Sequence, residues 1–330
     1  MKMSLSIPAC MAWLCMTLAS TLHAQTSDTE TVALNEAFSE VELQRGKKIA
    51  ESECRQLANA AWVSHAYGTE CIRYYPSGGL KEAVAETPGA KTAVLFFHGD
   101  YLNGLFVLGN YDQITPQKLL DGVQRNYAQY KVPYILVARP GVYGSSGAHR
   151  QRRRPKEFHS LNAAVDAIKA RYGLDQVVMA GQSGGSTAVA ALLTLGRSDV
   201  KCAVTGSGNY SVNELAMIKI QKAGGTPRRG CDGTGYCDAY DVIEHVDGIA
   251  HDPQRQIVML GDPQDQNTVF SQQRKFFEKV QQAGHAVTLI EAEGRGPERH
   301  SMSYLAYKVA GACARDQKFV VPAYPQPVAN

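Results

Sequence analysis

An α/β fold built on a doubly wound, mostly parallel sheet is predicted for this chain of 330 residues, and two observations predict it. Short apolar runs such as Val94-Leu95-Phe96-Phe97 and Tyr134-Ile135-Leu136-Val137 are continuous rather than alternating, as strands covered on both faces are, and helix-period segments separate them. The pentad Gly181-Gln182-Ser183-Gly184-Gly185 lies where one such run, residues 177–180, gives way to the small-residue helical stretch 186–193. A strand, sharp turn and helix in that order belong at the carboxyl edge of a parallel sheet, where ligands bind in such folds.

The elements follow in order along the chain. A lone Lys2, an apolar stretch over 7–22 and Leu22-His23-Ala24 before polar Gln25-Thr26-Ser27 are the pattern of a secretory signal peptide, residues 1–24, too short for a membrane span. Cys15 lacks the small residues that precede a lipidated cysteine, so no stable membrane anchor is expected and the mature chain is expected in the periplasm or the medium. An N-terminal segment, 25–69, is polar and predicted helical over about 34–60. The main domain, 70–318, carries strands predicted near 70–75, 92–97, 133–138, 176–181, 200–205, 256–260 and 286–291. Helices are predicted near 115–130, 157–171, 184–196, 268–283 and 301–315. A tail, 319–330, closes the chain.

One stretch breaks the alternation. Residues 206–255 hold helical patterns over 212–222 and 239–246 and the loop Gly230 to Cys237, an insertion expected to cap the site and set substrate choice while the sheet holds the machinery. The rival reading is an ordinary decorated loop.

The chemistry-bearing residues fall at strand ends. Glycines flank Ser183 because the turn is too tight for side chains, and the hydroxyl is left above the sheet with a helix N-terminus behind it. A serine hydroxyl needs an imidazole to take its proton and a carboxylate to orient that imidazole. Downstream, the run 257–260 ends in Gly261-Asp262-Pro263-Gln264-Asp265-Gln266-Asn267-Thr268, and the strand near 286–291 leads to Arg299-His300-Ser301. Serine, aspartate, histidine is the chain order of one family of nucleophilic hydrolases.

On these residues the chain resembles the α/β-hydrolase superfamily from about Glu70 to Arg315, and among its members the exported bacterial proteins loosely similar to prolyl-oligopeptidase-like hydrolases. Phe96-Phe97-His98-Gly99-Asp100 is similar to the family's oxyanion-hole loop, and Arg139-Pro140-Gly141-Val142-Tyr143-Gly144-Ser145-Ser146-Gly147 to a segment near its active site. The resemblance implies Ser183, Asp265 and His300 as catalytic residues. It favours Asp265 over Asp262 because the family's acid is followed by two residues and then Thr or Val, as Asp265 is by Gln266-Asn267-Thr268. Backbone N–H groups of Gly184 and of Asp100 or Tyr101 would hold the oxyanion. His98 is expected to shape its loop rather than move protons. The expected reaction is hydrolysis of a small carboxylic ester through an acyl-enzyme, without a cofactor. A prolyl-oligopeptidase-like peptidase acting on short peptides, an acyltransferase and a non-catalytic binding protein are the alternatives.

Six cysteines remain after the leader, Cys54, Cys71, Cys202, Cys231, Cys237 and Cys313, an even number that in an exported chain points to disulfides. Sequence neighbourhood pairs Cys231 with Cys237 and Cys54 with Cys71, leaving Cys202 with Cys313 beside the sheet. With no Cys-x-x-Cys or His pair, no metal site is expected. The formal charge of +3 is too small to imply nucleic acid as a partner. The basic run His149-Arg150-Gln151-Arg152-Arg153-Arg154-Pro155-Lys156 is expected to be a solvated loop before a helix, with a substrate-carboxylate clamp as its functional alternative.

Overall fold

A computed structural model describes residues 33–85, 91–228, 230–232 and 235–324. The expected signal peptide and residues 325–330 of the tail lie outside them. The long helix expected over about 34–60 is instead broken: after helical residues 33–35 come two short helices, α1 (Glu40–Arg45) and α2 (Glu51–Cys54), followed by a strand, β1 (Ala60–His65). β1 pairs antiparallel with β2 (Gly68–Pro76) from Ala60–Arg73 to His65–Gly68, so the expected boundary at 69/70 falls inside a hairpin. Only Ala61 and Val63 of β1 are buried, too few apolar positions to announce a strand in sequence.

Four elements then alternate with little regularity: α3 (Leu80–Ala85), β3 (Thr92–Phe97), and a small hairpin of β4 (Leu102–Asn103) and β5 (Phe106–Val107). From there the alternation is regular: α4 (Pro116–Tyr130), β6 (Tyr134–Val137), α5 (Pro155–Tyr172), β7 (Gln176–Gln182), α6 (Gly184–Thr194), β8 (Val200–Gly206), α7 (Val212–Lys222), β9 (Gln256–Gly261), α8 (Phe270–Gln282), β10 (Val287–Glu291) and α9 (Ser303–Ala314). α4 begins where the Thr115 hydroxyl accepts the N–H of Lys118 at 3.2 Å with Pro116 behind it, the side-chain cap and N1 proline that suit a helix start. α5 opens on Pro155 and stops at Gly173, whose φ of 65° is a left-handed cap.

Among the described residues the main sheet runs β1-β2-β6-β3-β7-β8-β9-β10, antiparallel at β1 and β2 and parallel from β6 onward. Every residue of β3 and β6 is buried, because helices cover both faces. One apolar layer packs α5, α6 and Phe276 and Val280 of α8 against the sheet. The other packs Val123 of α4 and Leu305, Ala306 and Val309 of α9. This is the doubly wound arrangement expected, and it brings the turns after β3, β7, β9 and β10 to one edge.

Three disulfides form, Cys54–Cys71, Cys202–Cys313 and Cys231–Cys237, the pairs expected from sequence. Cys202–Cys313 ties β8 to the end of α9 across 111 residues, a loop for which chain entropy alone gives about 4–5 kcal/mol. Cys313→Ser should therefore lower thermal stability far more than Cys237→Ser, read by melting of the oxidised proteins. Equal losses would show that the long bridge adds nothing to a sheet already held by packing.

Candidate active site

Ser183 sits at φ 54° and ψ −121° between β7 and α6, a left-handed conformation that a non-glycine residue holds only under constraint. The constraint is local. A Cβ on Gly185 would come within 2.0 Å of the Phe97 carbonyl oxygen, and one on Gly181 within 2.5 Å of the Gly185 backbone, so the turn closes only with glycine at both places. The Ser183 N–H donates to Gly206 O at 2.8 Å, and the half-buried side chain is left at the edge of the sheet.

His300 and Asp265 meet. His300 Nδ1 lies 2.8 Å from Asp265 Oδ2 and 3.1 Å from Oδ1, the Asp265 side chain being fully buried. Burial alone would raise the Asp265 pKa. Hydrogen bonding to His300, the histidine's charge and the N–H groups of Thr268 and Asn267 outweigh it and hold the carboxyl below its ordinary value. Asp262 is turned elsewhere. Its Oδ1 accepts from the Gln264 N–H (2.7 Å) and the Tyr324 hydroxyl (2.9 Å), and its Oδ2 from the Gly294 N–H and Arg299 Nε, both at 2.8 Å. With both oxygens occupied, Asp262 braces the 294–299 loop that delivers His300.

A contact that the sequence did not suggest joins the two turns. Gln182 donates through Nε2 to His300 O (2.9 Å) and accepts the Met302 N–H through Oε1 (2.8 Å), so one buried amide spans from the residue before Ser183 to both sides of His300's successor. Nothing in a pentad pattern marks its variable position. The signal lies only in the tertiary pairing.

The oxyanion-loop candidates separate. Tyr101 N–H donates to His149 Nε2 at 3.2 Å, whereas among the described residues the N–H groups of Asp100 and Gly184 carry no hydrogen bond. Of the two loop candidates, Tyr101 thus has its N–H already bonded within the protein and Asp100 does not. The Tyr101 hydroxyl bonds that of Tyr143, and its ring packs beside Tyr111 and Tyr143. His98 shapes its loop: Nε2 accepts the Arg139 N–H at 3.1 Å, Nδ1 faces Gly99 O at 2.8 Å, and burial followed by the Arg139 charge push its pKa down to about 3.

The basic run is not the solvated loop expected. Arg150 is exposed, but His149 and Arg152 are buried and the Arg153 side chain is only 13% exposed. The reason is Asp100, whose side chain binds Arg139 Nη1 (2.7 Å), Arg152 Nε (3.1 Å) and Arg153 Nη2. Burial opposes the charge on Asp100, but the three guanidiniums hold its pKa well below the ordinary value. Arg139 Nε in turn binds Glu157 at 2.6 Å, and Arg152 Nη2 binds Leu102 O at 3.0 Å, so residues 98–102 are gripped at almost every position.

The insertion reaches both sides of this edge. On one side Lys219 of α7 donates to Asn267 Oδ1 at 3.0 Å and Lys275 pairs with Glu214. On the other, Tyr240 N–H donates to Arg153 O at 2.7 Å and Arg154 pairs with Asp238. Among the described residues no group of His, Cys, Asp and Glu is arranged to hold a metal ion.

No protein-family model and no curated protein sequence matches the chain. Solved structures do. The esterase Est1E from Butyrivibrio proteoclasticus, bound to ferulic acid, superposes with a TM-score of 0.55 at 14% identity, covering 78% of this chain and 99% of that one. The chain has the α/β-hydrolase fold. A Pyrococcus furiosus esterase, Pf2001, shares that fold with a TM-score of 0.53 at 10% identity over 82% of this chain and 95% of its own. So does Pyrococcus horikoshii acylaminoacyl peptidase, with a TM-score of 0.51 at 14% identity, covering 83% of this chain but 44% of the peptidase. At these identities the α/β-hydrolase likeness concerns the scaffold, and any chemistry must be argued from the side chains.

Proposed function

We propose that the protein is a serine hydrolase acting on carboxylic esters, with Ser183 as nucleophile, His300 as general base and acid, and Asp265 as the carboxylate that orients it. The observation that carries this reading is the His300–Asp265 pair at 2.8 Å on the same sheet edge as a serine held at positive φ. With Nδ1–H given to Asp265, Nε2 is left to take the Ser183 proton. Ser183 Oγ bonds to the ester carbonyl carbon, the carbonyl oxygen becomes an oxyanion held by the Gly184 and Asp100 N–H groups, and collapse breaks the C–O bond as His300 returns the proton to the alcohol. Water repeats the sequence and frees the acid. The insertion serves as the cap, and the disulfides support a working place outside the reducing cytoplasm.

Fluorophosphonate labelling tests the nucleophile, and paired assays of acyl esters against N-acylaminoacyl and peptide amides test the bond cleaved. Faster turnover of the amides would make the protein a peptidase, and neither labelling nor turnover would make it a binding protein. Gln182→Ala should lower kcat about 10–100-fold with KM little changed, because the loss lies in the register of His300 against Ser183 and not in substrate contact. A matching rise in KM would assign Gln182 to the substrate instead.

A further inference from the structure

Two carboxylates beside the site, Asp100 and Asp265, are committed to partners within the protein, and cationic donors are left over. Asp100 gives Oδ1 to Arg139 and Oδ2 to Arg152 and Arg153. Asp265 is committed to His300, to the N–H groups of Asn267 and Thr268 and to the Thr268 hydroxyl. Glu298 accepts from Asn267 Nδ2 at 3.1 Å. On the donor side, Arg153 Nε and Arg139 Nη2 are buried without an acceptor among the described residues, a condition that costs free energy unless a ligand or water supplies one. Arg153 is moreover fixed in place, at φ 65°, with its N–H on the Glu157 carboxylate and its carbonyl accepting from Tyr240. Lys219 comes from the insertion on the other side and spends one of its three ammonium protons on Asn267, two residues beyond Asp265. Loss of water around that ammonium and then the repulsion of Arg153 push its pKa down, against the pull of Asp100, Glu298 and Asp265.

Arg153 hangs on Asp100, and Asp100 Oδ1 lies so close to Gly184 that a Cβ there would come within 2.2 Å of it. The Arg153 and Arg139 donors therefore adjoin the side of Ser183 on which an acyl group keeps its carbonyl oxygen, while Lys219 stands across the edge beside Asn267, near enough to feel the charges of Arg153 and Asp100. We propose that Arg153 and Lys219 form an anion subsite for the acyl half of the substrate, so that the ester cleaved is one whose acid part carries a second, free carboxylate. This rests on the serine-hydrolase reading above. Charge-assisted bonds from a fixed guanidinium and a flexible ammonium recognise such a group without closing the site to short chains.

The test compares the 4-nitrophenyl monoester of adipic acid with 4-nitrophenyl hexanoate, matched in chain length, at neutral pH. The expected kcat/KM ratio is about tenfold or more in favour of the anionic ester at low salt, and it falls as salt screens the subsite. Lys219→Met should reduce that ratio several-fold and Lys219→Arg should restore it. Arg153→Met should reduce it further, and Lys219→Met carries the test if that variant does not fold. A wild-type ratio of one or less, or a ratio that Lys219→Met leaves unchanged, overturns the subsite while leaving the hydrolase reading intact. Hydrolysis of neither ester, with no fluorophosphonate labelling, overturns both.

Discussion

Ser183→Ala should abolish covalent labelling by a fluorophosphonate and lower ester hydrolysis by about 10³-fold or more, the loss typical when a triad nucleophile is removed and only the oxyanion donors and binding remain. The substitution keeps a Cβ where one already stands, so folding should not change. It also removes none of the contacts that hold the turn, since the Ser183 N–H bond to Gly206 O is made by the backbone. Labelling that persists in the variant would move the nucleophile to another residue. Unchanged hydrolysis without labelling would point to a water activated by His300.

Asp265→Asn should cost about 10⁴ in turnover, because an amide at the His300 Nδ1 position favours the tautomer whose Nε2 is already protonated. Asp262→Asn should cost much less in turnover and more in stability. Burial disfavours the Asp262 charge, but the N–H groups of Gly294 and Gln264, with Arg299 and Tyr324, hold its pKa below the ordinary carboxylate value. A depressed carboxylate pKa means that its stabilising contribution is present above about pH 4 and is lost as pH falls through the lowered folded value. The melting temperature of Asp262→Asn should accordingly lie below wild type at neutral pH, and the gap should close in acid. A larger turnover loss in Asp262→Asn than in Asp265→Asn would exchange the roles of the two aspartates.

The parallel half of the sheet was legible because its strands are buried on both faces and therefore written as unbroken apolar runs. Residues 92–97 and 212–222 are elements with those very bounds. On the antiparallel edge β2 was legible near 70–75, whereas β1 and the separate hairpin of β4 and β5 were not. β1 shows a burial pattern with only two buried positions, and the hairpin of β4 and β5 leaves Leu105 and Phe106 exposed, so neither has the periodicity by which a strand declares itself. At the site, the turn spacing that favours Asp265 uses residues close in sequence, and the structure puts Asp265 against His300. The roles of Gln182, Asp262 and Arg152 could not be read in the same way. Each depends on a partner more than 30 residues distant, and a lone Gln or a run of arginines has the same appearance in sequence whether its partner is water or a buried carboxylate. The error over the basic run came from treating charge as a reason for exposure, when a single acidic residue on another loop was enough to draw it inward.

The helix that follows His300 is fastened to the sheet at both of its ends, by Gln182 at Met302 and by the bridge from Cys202 to Cys313. The His300 side chain, just ahead of a rod pinned twice, owes its position to the frame and to the braced 294–299 loop. Segments such as 212–248 can then be lengthened, shortened or exchanged by descent without disturbing the pairing of His300 with Asp265. On the triad proposed above, chimaeras that graft a foreign segment between β8 and β9 should change selectivity while keeping the turnover of this chain.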